Sequence, residues 1–400
     1  MPTAQSPLSG ITVIDCSRVL AGPYCCELLS LLGANVIKVE SHVGDEGRGW
    51  PPHKGDMSSS FIGLNANKRS IAVDLKSADG VAVVKDLARE ADVLVENFKT
   101  GDMARFGLGY NDLKALNSRL VYTSISAFGS RGPKAKGLGY EALLQAYSGV
   151  MAITGEADGM PVRSGVSFLD MGTGVMAAFA TVTALFRREF SGEGGKVDTS
   201  LLGTSLGLMS NIVSNFLHHG LMPQRRGTAH AQVVPYQVYP TQDGFIFIAS
   251  GNQNLFERLC CALGVEQMID DPRFKNNAAR VVNREACIKL IVDRVAEMDT
   301  AALVVTLDVE GVPYSPINDF ESLWADGQVE ALGVIENGND PDYGDFKMIG
   351  LPFTINDHER GLQRTAPRLG EHSREVLAEL GYDEDRIEYL IAHGIVNAVS

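Results

Sequence analysis

The sequence predicts an α/β protein: a Rossmann-like large domain on a mostly parallel sheet, joined to a smaller α+β domain. Two observations carry this. Over the first 130 residues, short runs of Val, Ile and Leu alternate with helix-length amphipathic stretches, the pattern of strands covered on both faces by crossover helices. Around residues 223–227 the composition shifts, and the next strands meet across a tight turn rather than a helix.

Residues 11–15 read as a buried strand, 24–32 as a helix and 35–40 as a second strand. This opening ends in an acid, Glu40, where a dinucleotide fold holds a ribose. The turn between, Arg18-Val19-Leu20-Ala21-Gly22-Pro23, has one glycine and a proline in place of G-x-G-x-x-G. It lacks the successive bare amides of a phosphate cradle, which argues against a nicotinamide cofactor. Residues 70–75 form the next strand, 80–91 a helix, 93–97 a strand, 111–116 a short helix and 120–126 another strand. Polar groups gather at strand ends: Asn65, Asn67, Lys68 and Arg69 before one, Asn97, Phe98, Lys99 and Arg105 after another. Open parallel sheets bind ligands outside the carboxyl ends of strands, and cations there suit a phosphorylated ligand. A run of this kind also reads as a solvated edge.

The segment Gly165-Val166-Ser167-Phe168-Leu169-Asp170-Met171-Gly172-Thr173-Gly174 sets one carboxylate directly before an apolar run over 175–186. An acid at a helix start faces the positive end of the macrodipole and the free first-turn amides, which keeps it ionised. Asp170 is thus either a helix cap or a carboxylate nucleophile, held as an anion beside glycines that admit a bulky substrate. After a glycine-rich turn, residues 196–200 lead into an apolar helix running to about 217. Within it Gly203-Thr204-Ser205-Leu206-Gly207 spells G-x-S-x-G. A nucleophile elbow needs a strand that breaks sharply at the serine, whereas here the helical rhythm continues, so Ser205 reads as helix interior.

In the second unit, residues 235–239 and 244–249 read as strands joined across Gln242-Asp243-Gly244. Ser250-Gly251-Asn252-Gln253 is a small polar loop before a helix over 254–263, and further helices span 284–298 and 300–310. The tail holds segments over 334–351 and helices at 373–380 and 384–393, with no repeat or low-complexity tract.

A chain of 400 residues has ample capacity for buried cores. Its net charge of −14, with no basic stripe, argues against a nucleic-acid partner. The stretch Met1-Pro2-Thr3-Ala4-Gln5-Ser6-Pro7 shows neither a basic nor an apolar leader region, and no 18 consecutive residues are uninterruptedly apolar. Neither secretion nor a membrane span is expected. Six cysteines, none in a C-x2-C pair, read as reduced core thiols, and a cytoplasmic location is expected.

The order of motifs is more specific than any one of them. Pro7-Leu8-Ser9-Gly10 leads into Arg18-Val19-Leu20-Ala21-Gly22-Pro23-Tyr24 and Leu32-Gly33-Ala34-Asn35-Val36-Ile37-Lys38-Val39-Glu40. Asn67-Lys68-Arg69-Ser70-Ile71, Val95-Glu96-Asn97-Phe98 and Gly139-Tyr140-Glu141 follow. The segment to Asp170, Gly227-Thr228-Ala229-His230 and Leu369-Gly370-Glu371-His372 complete the series. This resembles the family III CoA-transferases, which include the α-methylacyl-CoA racemases. By that resemblance Asp170 matches the aspartate nucleophile. Coenzyme A contacts fall on Val19, Leu20, the stretch from Val73 to Lys76, Asn97, Phe98, Lys99, Arg105, and the stretch from Leu138 through Tyr140 to Glu141. Leu20 stands where some formyl-CoA transferases have glutamine, which argues against an oxalate or formyl substrate. The racemase branch has a His-Asp pair where this chain has Tyr140-Glu141. Racemisation needs two suitable bases on opposite faces of an α-carbon, and a phenol with a reference pKa of about 10 is a poor one. Transferase is therefore favoured over racemase.

The nearest likeness within the family is to the succinyl-CoA–glutarate type. It is carried by Arg226-Gly227-Thr228-Ala229-His230, Val234-Pro235-Tyr236-Gln237, Ser250-Gly251-Asn252-Gln253 and Gly311-Val312-Pro313-Tyr314. Arg225, Arg226 and His230 are candidate partners for a distal carboxylate. The resemblance implies a large domain from residues 1–220 completed by the tail at 330–400, a small domain over 225–325, and an interlocked homodimer. It implies coenzyme A as co-substrate and no permanently bound cofactor or metal. Donors for developing oxyanions are expected at the Gly251 amide and around Tyr140.

Overall fold

The computed structural model describes residues 6–355 and 361–398, so residues 1–5 of the N-terminal stretch and parts of the tail lie outside the described residues. The chain forms two compact units. The first comprises Met1–Val150, Ser164–Leu221 and Leu332–Ser400; the second comprises Met151–Arg163 and Met222–Ala331. The segment 151–163, assigned from sequence to the large domain, belongs to the second unit.

In the first unit β1 (Thr12–Asp15), β2 (Asn35–Glu40), β3 (Lys68–Val73), β4 (Val93–Glu96), β5 (Val121–Ser126) and β6 (Gly195–Ser200) run parallel in the order β3-β2-β1-β4-β5-β6. Val396–Asn397 closes the β3 edge antiparallel, giving seven strands among the described residues. Every residue of β3 and β4 is buried, as expected where helices cover both faces. Successive strand residues serve opposite cores. Val13 packs with Leu29, Leu169 and Ala177 on the side of α1 (Ala21–Leu31). Ile14 packs with Val83, Leu87, Val376 and Leu390 on the side of α2 (Ala78–Glu90) and the tail helices Ser373–Glu379 and Glu384–Ala392. The strand order reverses between β1 and β4, the topological switch point of a Rossmann sheet.

Four further helices matter for the site: α3 (Glu141–Tyr147), α4 (Phe168–Ser191), α5 (Leu201–Leu208) and α6 (Ser210–His219). The apolar helix expected over 201–217 is thus broken at Met209. Ser205 is fully buried in the second turn of α5, not at a strand-to-helix elbow. Helix α4 begins at Phe168, so its 24 residues enclose Asp170. By length and composition α4 is long and apolar enough to cross a membrane, which the search for an unbroken apolar run missed. Its Leu169, Ala177, Ala178 and Leu185 are nevertheless packed in the core against α1 and the sheet.

The cations expected before β3 are its first two residues, and they are structural. Lys68 Nζ is fully buried and bonded to Asp15 Oδ2, Pro23 O and Asn65 Oδ1, each at 2.9 Å. Arg69 pairs with Glu375 and Glu379, both at 2.7 Å. Glu40 receives a two-pronged Arg48 contact at 2.7 and 2.8 Å and the Ser70 hydroxyl at 2.7 Å, so it offers no ribose ligand.

The second unit sets β7 (Tyr236–Pro240), β8 (Phe245–Ala249) and β9 (Tyr314–Pro316) in an antiparallel sheet ordered β9-β8-β7. Phe256, Leu259, Ile291, Leu303 and Leu307 of α7 (Gln253–Leu263), α8 (Arg284–Val295) and α9 (Thr300–Glu310) share its core with Tyr239, Ile246 and Ile248.

Candidate active site

At the switch point the loops leaving β1 and β4 are tied together. Arg18 N donates to Asn97 Oδ1 at 3.0 Å, and Asn97 Nδ2 donates to Arg18 O at 2.7 Å. Between them Val19 adopts φ 73°, a conformation that costs a β-branched residue free energy and persists only where its surroundings impose it. They do: Val19 N donates to Asp45 Oδ1 at 3.0 Å, and Asp45 is held at 2.9 Å by the fully buried Lys38. Gly22 lets α1 start close by, since a Cβ there would fall 2.2 Å from Ser17 Cβ.

These loops, the start of α1 and the segment before α3 line a cavity of about 310 Å³. Seven sequence-predicted residues meet in its wall: Val19, Asn97, Phe98, Lys99, Leu138, Gly139 and Tyr140. Lys99 is exposed and Leu138 and Tyr140 are largely exposed, so a cation and apolar surface face an open cleft. Among residues that sequence reasoning missed is Arg18, whose guanidinium lies 5.5 Å from the Phe98 ring centroid and 3.5 Å from Glu46. A larger hollow of about 670 Å³, beside the helix Ser59–Asn65 and strand Gly344–Ile349, gathers none of the predicted residues.

The other predicted contacts lie off this wall. Leu20 is the N-cap of α1. Val73 is buried in the α2-side core and pairs with Val396. Lys76 is exposed beyond β3. Arg105 is exposed and pairs at 2.9 Å with Asp102, itself a wall residue.

Helix α4 carries Asp170 in its first turn, and close approach to α1 holds that turn in place. A Cβ on Gly174 would sit 2.8 Å from Ala21 O and 3.0 Å from the Tyr24 ring, so glycine is required for the contact. Asp170 is not the cap; Ser167 is, without a side-chain bond. Nor is the carboxyl held ionised as expected from a helix start. Burial first, then the charge of Glu141, push it up to about 7.

Glu141, the first residue of α3, is buried. Its Oε1 accepts from Gln145 Nε2 at 2.6 Å and from Leu169 N, the residue before Asp170, at 3.5 Å. Tyr140 thus faces the cleft while the adjacent Glu141 faces the start of α4.

In the second unit, Gly251 occupies the turn from β8 to α7, which Asn252 caps through Leu255 N at 2.9 Å. A Cβ on Gly251 would meet nothing, so local packing does not demand the glycine. Arg225 is committed elsewhere: its guanidinium donates to Gly159 O at 2.9 Å, Glu156 O at 3.3 Å and Ala152 O at 3.4 Å. Of the three candidate carboxylate partners, Arg226 and His230 are exposed.

Comparison with known proteins identifies the family. A family model described as CoA-transferase family III matches residues 8–373. A succinyl-CoA:glutarate CoA-transferase of Mus musculus is 38% identical over 396 residues, covering 98% of this chain and 91% of that protein. A succinate–glutarate CoA-transferase of Agrobacterium fabrum is 39% identical over 388 residues, covering 95% and 97%. The crystal structure of a CAIB/BAIF family protein from Brucella suis superposes with a TM-score of 0.83 at 37% identity, covering 94% of this chain and 100% of that one. With the model spanning nearly the whole chain and relatives of this identity over its full length, the chain belongs to CoA-transferase family III.

Proposed function

We propose that the protein moves coenzyme A from succinyl-CoA to a short dicarboxylic acid through covalent intermediates on Asp170. The observation that carries this reading is a half-buried carboxylate, set in a helix's first turn beside a second buried carboxylate, one residue along from a wall of the switch-point cleft. The Asp170 carboxylate attacks the thioester carbonyl; the C–S bond breaks, giving a mixed anhydride and coenzyme A thiolate. The thiolate attacks the side-chain carbonyl of Asp170, and the donor acid leaves. The resulting aspartyl thioester is attacked by the acceptor carboxylate, and the same two steps run in reverse. Thioester and carboxylate are exchanged for their like, so no ATP is consumed.

Glu141 has a physical part in this scheme. Its repulsion raises the free energy of the Asp170 anion and disappears once Asp170 is acylated and neutral. The free and acylated enzymes are thereby brought closer in free energy, as reversible exchange needs. The Val19, Asn97, Phe98, Lys99 and Leu138 wall binds the coenzyme, Lys99 and Arg18 supplying charge for its phosphates. Tyr140 serves as an oxyanion donor in this reading.

The dicarboxylate preference is supported by the mouse and Agrobacterium relatives, a succinyl-CoA:glutarate and a succinate–glutarate CoA-transferase. Arg226 and His230 are its candidate ligands in the second unit. The test is kcat/KM for glutarate or succinate against butyrate with succinyl-CoA held fixed. A ten- to hundredfold preference for the diacids is expected from one desolvated charge-assisted pair, at about 1.5–3 kcal/mol. Equal values remove the diacid assignment. Deuterium uptake at the α-carbon of a 2-methylacyl-CoA would instead favour racemisation.

A further inference from the structure

We propose that Gln145 is a positioning residue of this site: its buried side-chain amide holds the Glu141 carboxylate against the first turn of α4, beside Asp170. The inference rests on Asp170 being the nucleophile. Gln145 is completely buried and lies one helical turn beyond Glu141 on α3. Its Nε2 donates to Glu141 Oε1 at 2.6 Å, and its Oε1 accepts from Ser164 N at 2.9 Å. The second bond fixes the first: a backbone N–H can face only the amide oxygen, so the NH2 group must point at Glu141. Ser164 begins the strap that runs into α4, and Leu169 N on α4 returns to the same Glu141 oxygen at 3.5 Å. One amide thereby joins α3, the strap and the turn bearing Asp170.

Without the 2.6 Å bond from Gln145 the Glu141 carboxylate loses one of its donors and its anchor on α3. The negative charge beside Asp170 is then moved. Gln145 itself touches no reacting atom; its loss acts through Glu141 and through the strap that begins at Ser164, and only a replacement that keeps the Ser164 bond isolates the first.

Two replacements separate positioning from packing. Gln145→Leu removes both bonds. Gln145→Glu keeps the acceptor for Ser164 N and the shape but sets a carboxylate against Glu141. Rates of succinyl-CoA-dependent transfer are measured for each, alone and in a Glu141→Ala background, together with thermal midpoints. Both variants are expected to lower kcat more than tenfold with KM for the acyl-CoA changed less than twofold, and to lower kcat less than twofold when Glu141 is already alanine. Single-variant kcat within twofold of the parent overturns the proposal. So does a loss that persists undiminished in the Glu141→Ala background, or failure of both variants to fold where Glu141→Ala folds, since the amide then serves the fold. Asp170→Ala, run alongside, separates the two levels: transfer retained there refutes the nucleophile assignment, whereas transfer lost there with Gln145 variants unaffected refutes only the positioning role.

Discussion

At Asp170 two physical effects oppose each other, and their sizes decide the outcome. A helix N-terminus stabilises an anion by about 0.3–1 kcal/mol. A rise from 3.8 to about 7 corresponds to roughly 4 kcal/mol, reduced to ~1–2 kcal/mol by solvent screening for a group still partly open to water. Burial and Glu141 therefore win. Since the attacking species is the anion, kcat/KM should climb with pH through about 7. Glu141→Gln removes the repelling charge and should move that limb to lower pH. A limb that stays in place would separate Glu141 from Asp170. Stability follows the opposite sense. The folded form holds its proton to higher pH than the unfolded one, so the carboxyl destabilises the fold progressively as pH rises from about 4 to 7. Asp170→Asn should accordingly abolish transfer yet raise the thermal midpoint at pH 8, the gain vanishing near pH 4; a lower midpoint at pH 8 contradicts the burial argument. Sequence pattern located this residue but misjudged its ionisation, because burial opposes the charge and the repelling carboxylate, Glu141, comes from α3, distant in sequence. For the same reason Gln145 and Arg18 escaped notice. Neither has a local signature, and the positive φ of Val19 leaves no mark in composition.

The elements were more legible than their junctions. Alternating runs of Val, Ile and Leu located five of the six parallel strands to within about two residues, because a strand buried on both faces has no polar side to disguise it, whereas Gly195–Ser200, polar and only partly buried, was not read as a strand. Asp170 was placed at a helix start between two small-residue turns, whereas α4 runs from Phe168 straight through Gly172 and Gly174 and uses Gly174 to reach α1. That contact gives a signed prediction. Alanine at 174 improves intrinsic helix propensity by about 1 kcal/mol. Its methyl would also fall 2.8 Å from the carbonyl oxygen of Ala21, a backbone atom that cannot rotate away. Overpacking of this kind costs roughly 1–3 kcal/mol, so Gly174→Ala should lower the unfolding free energy and displace the turn bearing Asp170. Denaturant titration reads the first effect and kcat the second. A stabilised, fully active variant would show that the two helices slide apart freely.

At the scale of the whole molecule, the apolar face left open by the first unit is the feature that demands a partner. Val175, Phe179, Val182, Phe186 and Phe190 recur along α4 at helical spacing, and the three phenylalanines are 66–78% exposed. Leu206, Leu208, Phe216 and Leu217 add apolar surface on α5 and α6. Burying a side chain of this size is worth about 1.5–3 kcal/mol, so a row of five offers far more than a monomeric protein ordinarily leaves in water. A second copy presenting the same row is the simplest occupant, because a two-fold contact is self-complementary. The protein should therefore sediment at twice 43.0 kDa at micromolar concentration. Phe179→Glu with Phe186→Glu should shift it to the monomer while leaving the sheet's far-ultraviolet signal in place. A lipid surface is the competing occupant, given the length and apolarity of α4. Flotation of the unmodified protein with phosphatidylcholine vesicles, together with a monomeric mass in their absence, would favour it and remove the dimer. The acidic balance of −14 gives no electrostatic attraction to anionic lipid, so any such binding would have to be apolar and insensitive to salt.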